Sequence, residues 1–371
     1  MITPAFRHTI RSPKLKHFIA AGLTGICAVS SAWAQSSVTL YGSLDAGVAY
    51  VSNVGGHSKW MEEQGNTQPD RWGLRGQEDL GGGLKAIFTL ENGFYTNTGA
   101  MAVANTLFNR QAFVGLASDQ FGTLTLGHQT PFSFDVLDPF STAYLAGSWY
   151  AFHPGNIDEL ADTGVVPYNN SVKYRSPTWY GFTAGAMFGF GNTTNFSDGR
   201  TMSFSLSYAN GPFKAGATWS NEHDRTVSIA TTGITTFQDQ PAATYLADKV
   251  ENMGIGASYS FGKVLLHGLY TRTKLESGGQ SDTFQSYDAG ANYQVTAFNS
   301  VVGGAATSTL EGRRWSQVMI GDVYSLSKRT QVYVNALYEH ANSSAQAAFF
   351  TAGVSSGRNQ AIVLTGIHHS F

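Results

Sequence analysis

The sequence predicts an all-β protein, a 16-stranded antiparallel transmembrane β-barrel with short turns at one end and long loops at the other. Three observations predict it. Side chains alternate apolar and polar along most of the chain, with almost no helical periodicity. Short turns alternate with long Gly/Asn/Ser/Thr-rich connections. Charged residues are only 13% of the sequence, about half the soluble-protein norm of roughly 25%, while aromatics also reach 13%.

The first 34 residues read as a separate element. Arg7, Arg11, Lys14 and Lys16 precede the uncharged apolar run Phe18 to Ser30, and Ala32-Trp33-Ala34 supplies small residues for cleavage. This is the pattern of a secretory signal peptide, too short and wrongly flanked for a spanning helix. Cutting after Ala34 makes Gln35 the mature terminus and residues 35–371 the barrel. Cys27, the only cysteine, leaves with the leader, so the mature chain has no thiol or disulfide chemistry. Removing the four leader cations from the 23 Lys and Arg leaves 19 against 25 acids, a net charge of −6. A mildly acidic chain without a basic arm is a poor nucleic-acid binder. The mean hydropathy of −0.14 comes with no apolar run beyond residue 34 long enough for a transmembrane helix.

Successive side chains of a strand point to opposite faces, so alternation marks one apolar and one polar environment. Val38, Leu40, Leu44 and Val48 share a face opposite Thr39, Tyr41, Ser43 and Asp45. Leu84, Ala86, Phe88 and Leu90 oppose Lys85, Thr89 and Glu91; Phe213, Ala215, Ala217 and Trp219 oppose Lys214, Thr218 and Ser220. Strands are expected to begin near residues 38, 71, 84, 107, 122, 171, 182, 201, 213, 249, 263, 284, 297, 314, 330 and 361. Sixteen staves leave an aqueous channel, where eight would fill with side chains. Tight turns are expected at Asp79 to Gly83, Ser118 to Phe121, Ala209 to Pro212 and Ser325 to Arg329, and long loops at Ser52 to Asp70, Asn221 to Asp248, Leu275 to Asp282 and His340 to Arg358. Short turns on one side and long loops on the other are the asymmetry of outer-membrane barrels. Tyr50, Trp72, Phe94, Trp179, Tyr208, Trp219, Tyr270, Tyr293, Trp315 and Tyr338 suit interfacial girdles.

The last strand alternates through Val363, Thr365, Ile367 and His369 to a terminal Phe371. A closing strand of this kind leaves no unpaired backbone edge facing lipid, and Phe371 is its closure signal.

Several segments resemble the general, non-specific porin family of Gram-negative bacteria, closest to its betaproteobacterial members. Gln35 to Gly42 is similar to that family's first strand, and Arg71 to Ala86 to its second hairpin. Asn109 to Leu116, Phe121 to Gln129, Asn170 to Pro177, Leu326 to Thr330 and Gly366 to Phe371 continue the likeness in order along the mature chain. The resemblance implies a homotrimer in outer-membrane lipid that passes small hydrophilic solutes and ions by passive diffusion. It also implies delivery of the C-terminal strand to barrel-assembly machinery, with neither cofactor nor enzymatic activity. The chain departs from the family where His128 follows Thr-Leu-Gly and where Asp138-Pro139-Phe140 replaces the acidic motif of enteric relatives; both leave the ion preference open.

Residues 130–170 form a connection of about 40 residues with little alternation, far beyond the roughly 12–15 at which loops become functional or disordered. Its many aromatics, among them Phe132, Phe140, Tyr144, Trp149 and Phe152, argue against disorder. By resemblance it is the third external loop, folded inward as a constriction. Its acids are Asp135, Asp138, Asp158, Glu159 and Asp162, of which two or three are expected to face the channel. The basic side of the constriction is expected from Arg71, Arg75, Arg110, Lys173 and Arg175, with at least two of the five serving ordinary structural contacts. Arg71 and Arg75 share one strand face, as do Lys173 and Arg175. A cation facing the bilayer midplane costs roughly 2–4 kcal/mol, so these five belong inside or at an interface. Focused by low-dielectric walls, such a cluster is expected to favour anions despite the net −6.

Other signals are weak. The histidines show no metal-ligand spacing apart from His368 and His369, which as strand neighbours face opposite ways; a solvated or interfacial role is the expectation. Asp79 to Gly83 lacks the Lys-Ser/Thr of a phosphate loop, and there is no Gly-x-Ser-x-Gly elbow. Alternatives to a diffusion pore are a substrate-specific channel on the same scaffold, an outer-membrane barrel enzyme, and a soluble secreted β-protein.

Overall fold

The computed structural model describes residues 36–163 and 168–371, so the expected leader and Gln35 lie outside the described residues. The strands are β1 (Ser37–Val54), β2 (His57–Gln64), β3 (Arg71–Gly81), β4 (Leu84–Gly93), β5 (Gln111–Ser118), β6 (Gly122–Gln129), β7 (Tyr168–Arg175), β8 (Phe182–Gly189), β9 (Thr201–Asn210) and β10 (Phe213–Val227). They continue with β11 (Thr236–Phe237), β12 (Gln240–Pro241), β13 (Tyr245–Phe261), β14 (Val264–Ser277), β15 (Gln280–Gln294), β16 (Asn299–Leu310), β17 (Arg313–Ser325), β18 (Thr330–Ala341) and β19 (Asn359–Ser370).

β11 and β12 make a small separate hairpin within a loop; the other seventeen form one antiparallel sheet in which successive strands pair, except that β2 and β3 both pair with β1. β2 and β3 occupy a single stave, because β2 pairs with β1 from Ala46 upward and β3 pairs with it from Ser37 to Ser43. The barrel therefore has the 16 staves expected. It closes where β1 meets β19, with Ser43 opposite Ser370 and Val51 opposite Ile362. Among the described residues no helix is long and apolar enough to cross a membrane.

Alternation in the sequence becomes alternation of environment. On β14, His267, Leu269, Thr271, Thr273 and Leu275 are buried toward the interior, while Leu266 and Tyr270 lie on the outer face. Leu40, Val48, Leu126, Ile255, Ile320 and Val334 belong to an exposed apolar exterior. Such residues would be misplaced in water but meet hydrocarbon in a transmembrane barrel.

Four features differ from the sequence expectation. Asn221 to Asp248 is not all loop, since β10 runs on to Val227 and β13 begins at Tyr245, the two pairing beyond the expected strand ends. Ser52 to Asp70 is not one loop: β1 runs to Val54 and returns at once through β2, because Gly55 (φ +60°) turns the chain. Leu275 to Asp282 is likewise a tight hairpin around Gly278 and Gly279, whose positive φ lets β14 and β15 extend past the barrel rim. Trp315, expected in a girdle, is 1% exposed and faces inward, donating from Nε1 to Gln346 O at 2.9 Å.

The closing seam is locked by one glycine. Gly42 and Phe371 exchange both backbone hydrogen bonds at 3.1 Å, and a Cβ on Gly42 would collide with the Phe371 ring. The ring covers the seam only because position 42 has no side chain. Overpacking of this kind costs typically 1–3 kcal/mol. Gly42→Val is therefore expected to reduce the yield of heat-modifiable folded barrel on semi-native gels, while Gly303→Val, at an open site on the barrel wall, leaves it near wild type.

Candidate functional site: the inward-folded loop

The segment between β6 and β7 fills part of the barrel interior. It consists of short helical turns, Ser133–Leu137, Asp138–Phe140, α1 (Thr142–Ala146), Trp149–Ala151 and Pro154–Asn156, joined by extended residues. α1 begins at Ser141, whose Oγ accepts from Tyr144 N at 3.0 Å, and ends at Gly147 in the left-handed region, an N-cap and C-cap that stop it after five residues. Phe132, Leu137, Phe140, Ala143, Tyr150 and Leu160 are buried.

The wall makes room for these side chains with glycine. Cβ atoms built on Gly185, Gly216, Gly254 and Gly256 would sit 2.5 Å from Phe132, 2.6 Å from Val136, 2.5 Å from Leu137 and 2.6 Å from Phe140, respectively. Gly304 meets Thr142 in the same way. Four strands, β8, β10, β13 and β16, thus present a shelf without side chains on which the loop rests.

Ion pairs and hydrogen bonds then fix it laterally. Arg110 reaches Glu91 on the wall at 2.7 Å and Asp162 in the loop at 3.0 Å, and donates again to Asp162 O at 3.0 Å. Lys173 Nζ lies 2.6 Å from Asp135 and 2.7 Å from Thr130 O, and 4.9 Å above the Phe132 ring. Arg225 bridges Glu159 of the loop to Glu222 of β10, and the Tyr168 hydroxyl donates to Glu159 at 3.1 Å and Glu222 at 2.9 Å. Asp288 accepts from Thr142 N at 2.8 Å, and His267 Nδ1 donates to Phe140 O at 2.9 Å.

A further tether is His153. It is 1% exposed, with Nδ1 2.6 Å from Asp158 and Nε2 3.7 Å from Asp288, while Thr271 Oγ1 donates to Asp158 at 2.6 Å. Burial opposes its charging, but Asp158 and Asp288 outweigh burial and push the imidazole up to about 10. The loop thus holds an imidazolium at neutral pH. Asp138 goes the other way: burial pushes its carboxyl well above the usual range, relieved only by Ser141 Oγ at 3.0 Å.

The five expected acids are therefore not gathered on the channel face. Asp138, Asp158, Glu159 and Asp162 are at most 4% exposed, and Asp135, partly covered, is held by Lys173 and Thr130. The expectation that two or three face the channel fails because a carboxyl this deep needs a partner or a retained proton, and the wall and the loop itself supply these. The expected cations separate into two groups. Arg110 and Lys173 are buried tethers. Arg71 is partly open, bonding Gln68 at 2.8 Å and lying 3.7 Å from Glu91. Arg75 and Arg175 are exposed; Arg75 stacks 5.2 Å over the Tyr41 ring. Register puts both on interior faces, opposite Thr39 and Thr123.

Sequence reasoning noted Glu91 only as a polar-face residue, left Glu222 and Arg225 inside an expected long loop, and passed over Asp288. It also set His153 among solvated or interfacial histidines, whereas it is buried; the signal was the near Asp158. His128 links strand ends, 2.7 Å from Asn169 Oδ1 and 2.9 Å from Asn109 O. Among the described residues no group of three His, Cys, Asp or Glu could hold a metal ion.

A family model described as Gram-negative porin matches residues 22–344. Outer membrane porin protein 32 of Delftia acidovorans is 33% identical over 366 residues, covering 94% of this chain and 98% of that one. A Bordetella pertussis outer membrane porin protein is 29% identical, covering 86% and 92%. Among solved structures, an anion-selective porin from Comamonas acidovorans matches with a TM-score of 0.76 at 29% identity, covering 91% of this chain and 100% of that one. The trimer form of Vibrio cholerae OmpT matches at 0.66 with 16% identity, covering 91% and 99%, a likeness of fold alone.

The His153 tether gives a testable sign. A folded-state pKa raised to about 10 stabilises the loop fully below the ordinary imidazole value near 6.5 and loses that contribution as pH climbs through about 10. Breaking a buried pair by removing one partner costs roughly 3–5 kcal/mol. His153→Leu is expected to lower the denaturation temperature at pH 7, and the wild-type protein to lose the difference across that alkaline window. Equal stability of the two proteins at neutral pH would contradict the tether.

Proposed function

This chain belongs to the Gram-negative porin family, and we propose that it is an anion-preferring diffusion pore whose charge filter is set by free arginines rather than by loop acids. It is an outer-membrane barrel, and small hydrophilic solutes cross it passively through the interior. Its relatives are channels rather than enzymes. The observation that carries the anion reading is the unequal fate of the charges. The acids of the loop are paired and withdrawn, while Arg75 and Arg175 stay exposed on interior faces and Arg71 stays partly so. A permeating anion meets guanidinium groups with few competing carboxylates, and low-dielectric walls concentrate their field. The similarity to the anion-selective porin from Comamonas acidovorans supports the same sign.

In this reading residues 130–170 are the constriction loop, and Arg110 and Lys173 hold it rather than filter. The likeness to trimeric porin folds supports assembly as a homotrimer. The apolar leader, residues 1–34, is read as the cleaved export signal, and the seam strand ending in Phe371 as the part presented to assembly machinery.

A second reading, a substrate-specific channel on the same scaffold, is favoured by one feature. Between loop and wall lies a cavity of about 190 Å³ whose lining includes Gln68, Arg71, Phe134, Tyr144 and Trp149. An aromatic and guanidinium lining suits a planar organic anion, and concentration-dependent, saturable block of conductance would distinguish it from free diffusion.

Zero-current potentials across a planar bilayer with a salt gradient test the charge filter. At about 4 Å one unit charge is worth about 1 kcal/mol in water, roughly a fivefold change in local ion occupancy. Arg75→Gln combined with Arg175→Gln is expected to lower the anion-to-cation permeability ratio several-fold. Cation preference in the wild-type protein would refute the proposal.

A further inference from the structure

The second stave carries more chain than its neighbour can pair. Gln64 at the end of β2 faces Ala46 on β1, and Arg71 at the start of β3 faces Ser43. Only Leu44 and Asp45 lie between those positions on β1, against the six residues 65–70 on the second stave. A regular ladder opposes residues one to one, so the surplus has to leave the sheet. Leaving outward would put open backbone groups into hydrocarbon, which leaves the lumen as the direction of exit. The chain turns off at Gly65, whose φ of +65° suits a residue without a side chain. The result is a short strap lying inside the barrel.

One residue of β1 holds the strap at its start, middle and end. Asp45 O accepts from Gly65 N at 3.1 Å, and Asp45 Oδ2 accepts from Thr67 N at 2.9 Å. The Asp45 N–H donates to Asp70 Oδ1 at 2.6 Å. Its second carboxylate oxygen accepts from the Tyr333 hydroxyl of β18, also at 2.6 Å. Asp45, Asn66 and Asp70 are buried. The strap in turn interlocks with the loop where α1 ends. Asn66 O accepts from Trp149 N at 2.8 Å, and Asn66 Nδ2 donates to Gly147 O at 3.2 Å. Asn335 of β18 donates to the same carbonyl at 3.3 Å. A Cβ on Gly147 would sit 2.9 Å from Thr67 Cγ2, so the two segments touch. Thr67, Gln68 and Pro69 line the cavity of about 190 Å³ together with Phe134 and Tyr144 of the loop. Gln68 Oε1 also accepts from the Arg71 guanidinium at 2.8 Å.

We propose that residues 65–70 are a second constriction element and that Asp45 is the positioning residue that sets its distance from the loop. Asp45 is too deeply covered to meet a permeant, so it acts only through the strap it holds. Without its carboxylate, the Thr67 N–H and the Tyr333 hydroxyl both lose their acceptor, and a buried donor left unmade is costly. The middle of the strap then moves off the wall in search of partners. The gap to Phe134 and Tyr144 changes width, and Gln68 no longer holds the Arg71 guanidinium in one place. The inference rests on the reading of this chain as a diffusion pore narrowed by residues 130–170, but not on its preference for anions.

The test uses the assembled protein in planar bilayers, with chloride on one side and gluconate on the other. Both anions carry one charge and feel the same field, so the zero-current potential reads size. Asp45→Ala is expected to change the gluconate-to-chloride permeability ratio several-fold, in protein that runs as folded barrel on semi-native gels. Asp45→Asn keeps the shape: its amide oxygen accepts from Thr67 N while its Nδ2 donates to the Tyr333 hydroxyl. Its ratio is expected to stay near wild type. A folded Asp45→Ala channel with the wild-type ratio overturns the proposal. So does an equal change in both variants, which would mark a field effect of the carboxylate rather than positioning. Hydrogen exchange on the wild-type protein needs no variant to fold. Peptides covering 65–70 and 147–149 are expected to exchange as slowly as β3, and exchange as fast as the connection between β8 and β9 overturns the strap. Each of these failures leaves the pore reading standing, whereas a wild-type protein that never conducts removes that reading and the proposal with it.

Discussion

The closed hydrogen-bonded ladder is the constraint on which everything else in this molecule depends. A backbone donor or acceptor left open in hydrocarbon costs several kcal/mol, so the sheet has to end where it begins. Here it does so through β1 and β19, and the last residue of the chain is hydrogen-bonded to Gly42 on the first strand. Closure assigns every residue of every stave to one of two solvents. Apolar residues outside and polar residues inside are then consequences rather than separate design choices. The interior, being wet and lined by polar side chains, can accept a folded loop that no lipid face could.

That loop is held by two kinds of contact with different physics. Apolar side chains sit on glycines of the wall, so contact depends on what the wall lacks. Charged side chains sit against partners of opposite sign, and these contacts are geometrically demanding because a buried charge without its partner is strongly destabilising. Arg110, Lys173, Arg225 and His153 each join loop to wall or bind one part of the loop to another. The imidazolium of His153 lies between an aspartate of the loop and one of β15, which makes the tether sensitive to alkali. A loop pinned at so many points keeps a fixed aperture, the requirement for sorting solutes by size.

Most of the barrel was legible in the sequence because strand alternation has a period of two and therefore repeats within a few residues. Strand starts read from that alternation fall within four residues of those observed, including Arg71, Leu84, Phe213 and Thr330. The exceptions have a common cause. Polar hairpins that rise beyond the membrane, such as β1 to β2 and the extended ends of β14 and β15, have no apolar face and resemble loops. Trp315 was misassigned because an inward aromatic above the membrane looks like an outward one at its edge. The site was less legible. Face-sharing of Arg71 with Arg75, and of Lys173 with Arg175, follows from local period and was readable. Whether Asp162 reaches Arg110, or Asp158 reaches His153 and Thr271, depends on how a non-periodic loop folds back on distant strands, and no local pattern encodes that. The glycine shelf did leave a trace, since Gly216 falls on the polar face of an otherwise alternating strand, where a small residue needs a reason.

Net charge is a poor guide to such a pore, and the arrangement of pairs explains why. The sequence carries a net negative charge, yet its loop carboxylates are each matched by a buried cation, a hydrogen bond or a retained proton. A paired buried carboxylate presents a dipole to the lumen, whose field falls off faster than that of a free charge. A guanidinium such as that of Arg75, lying over an aromatic face and open to solvent, keeps its full charge and a long reach between low-dielectric walls. The sign felt by a passing ion is thus decided by which charges remain unpaired. On the proposed reading, acids that hold the loop in place are subtracted from the filter, so the contacts that fix the loop also tilt the electrostatics toward the arginines.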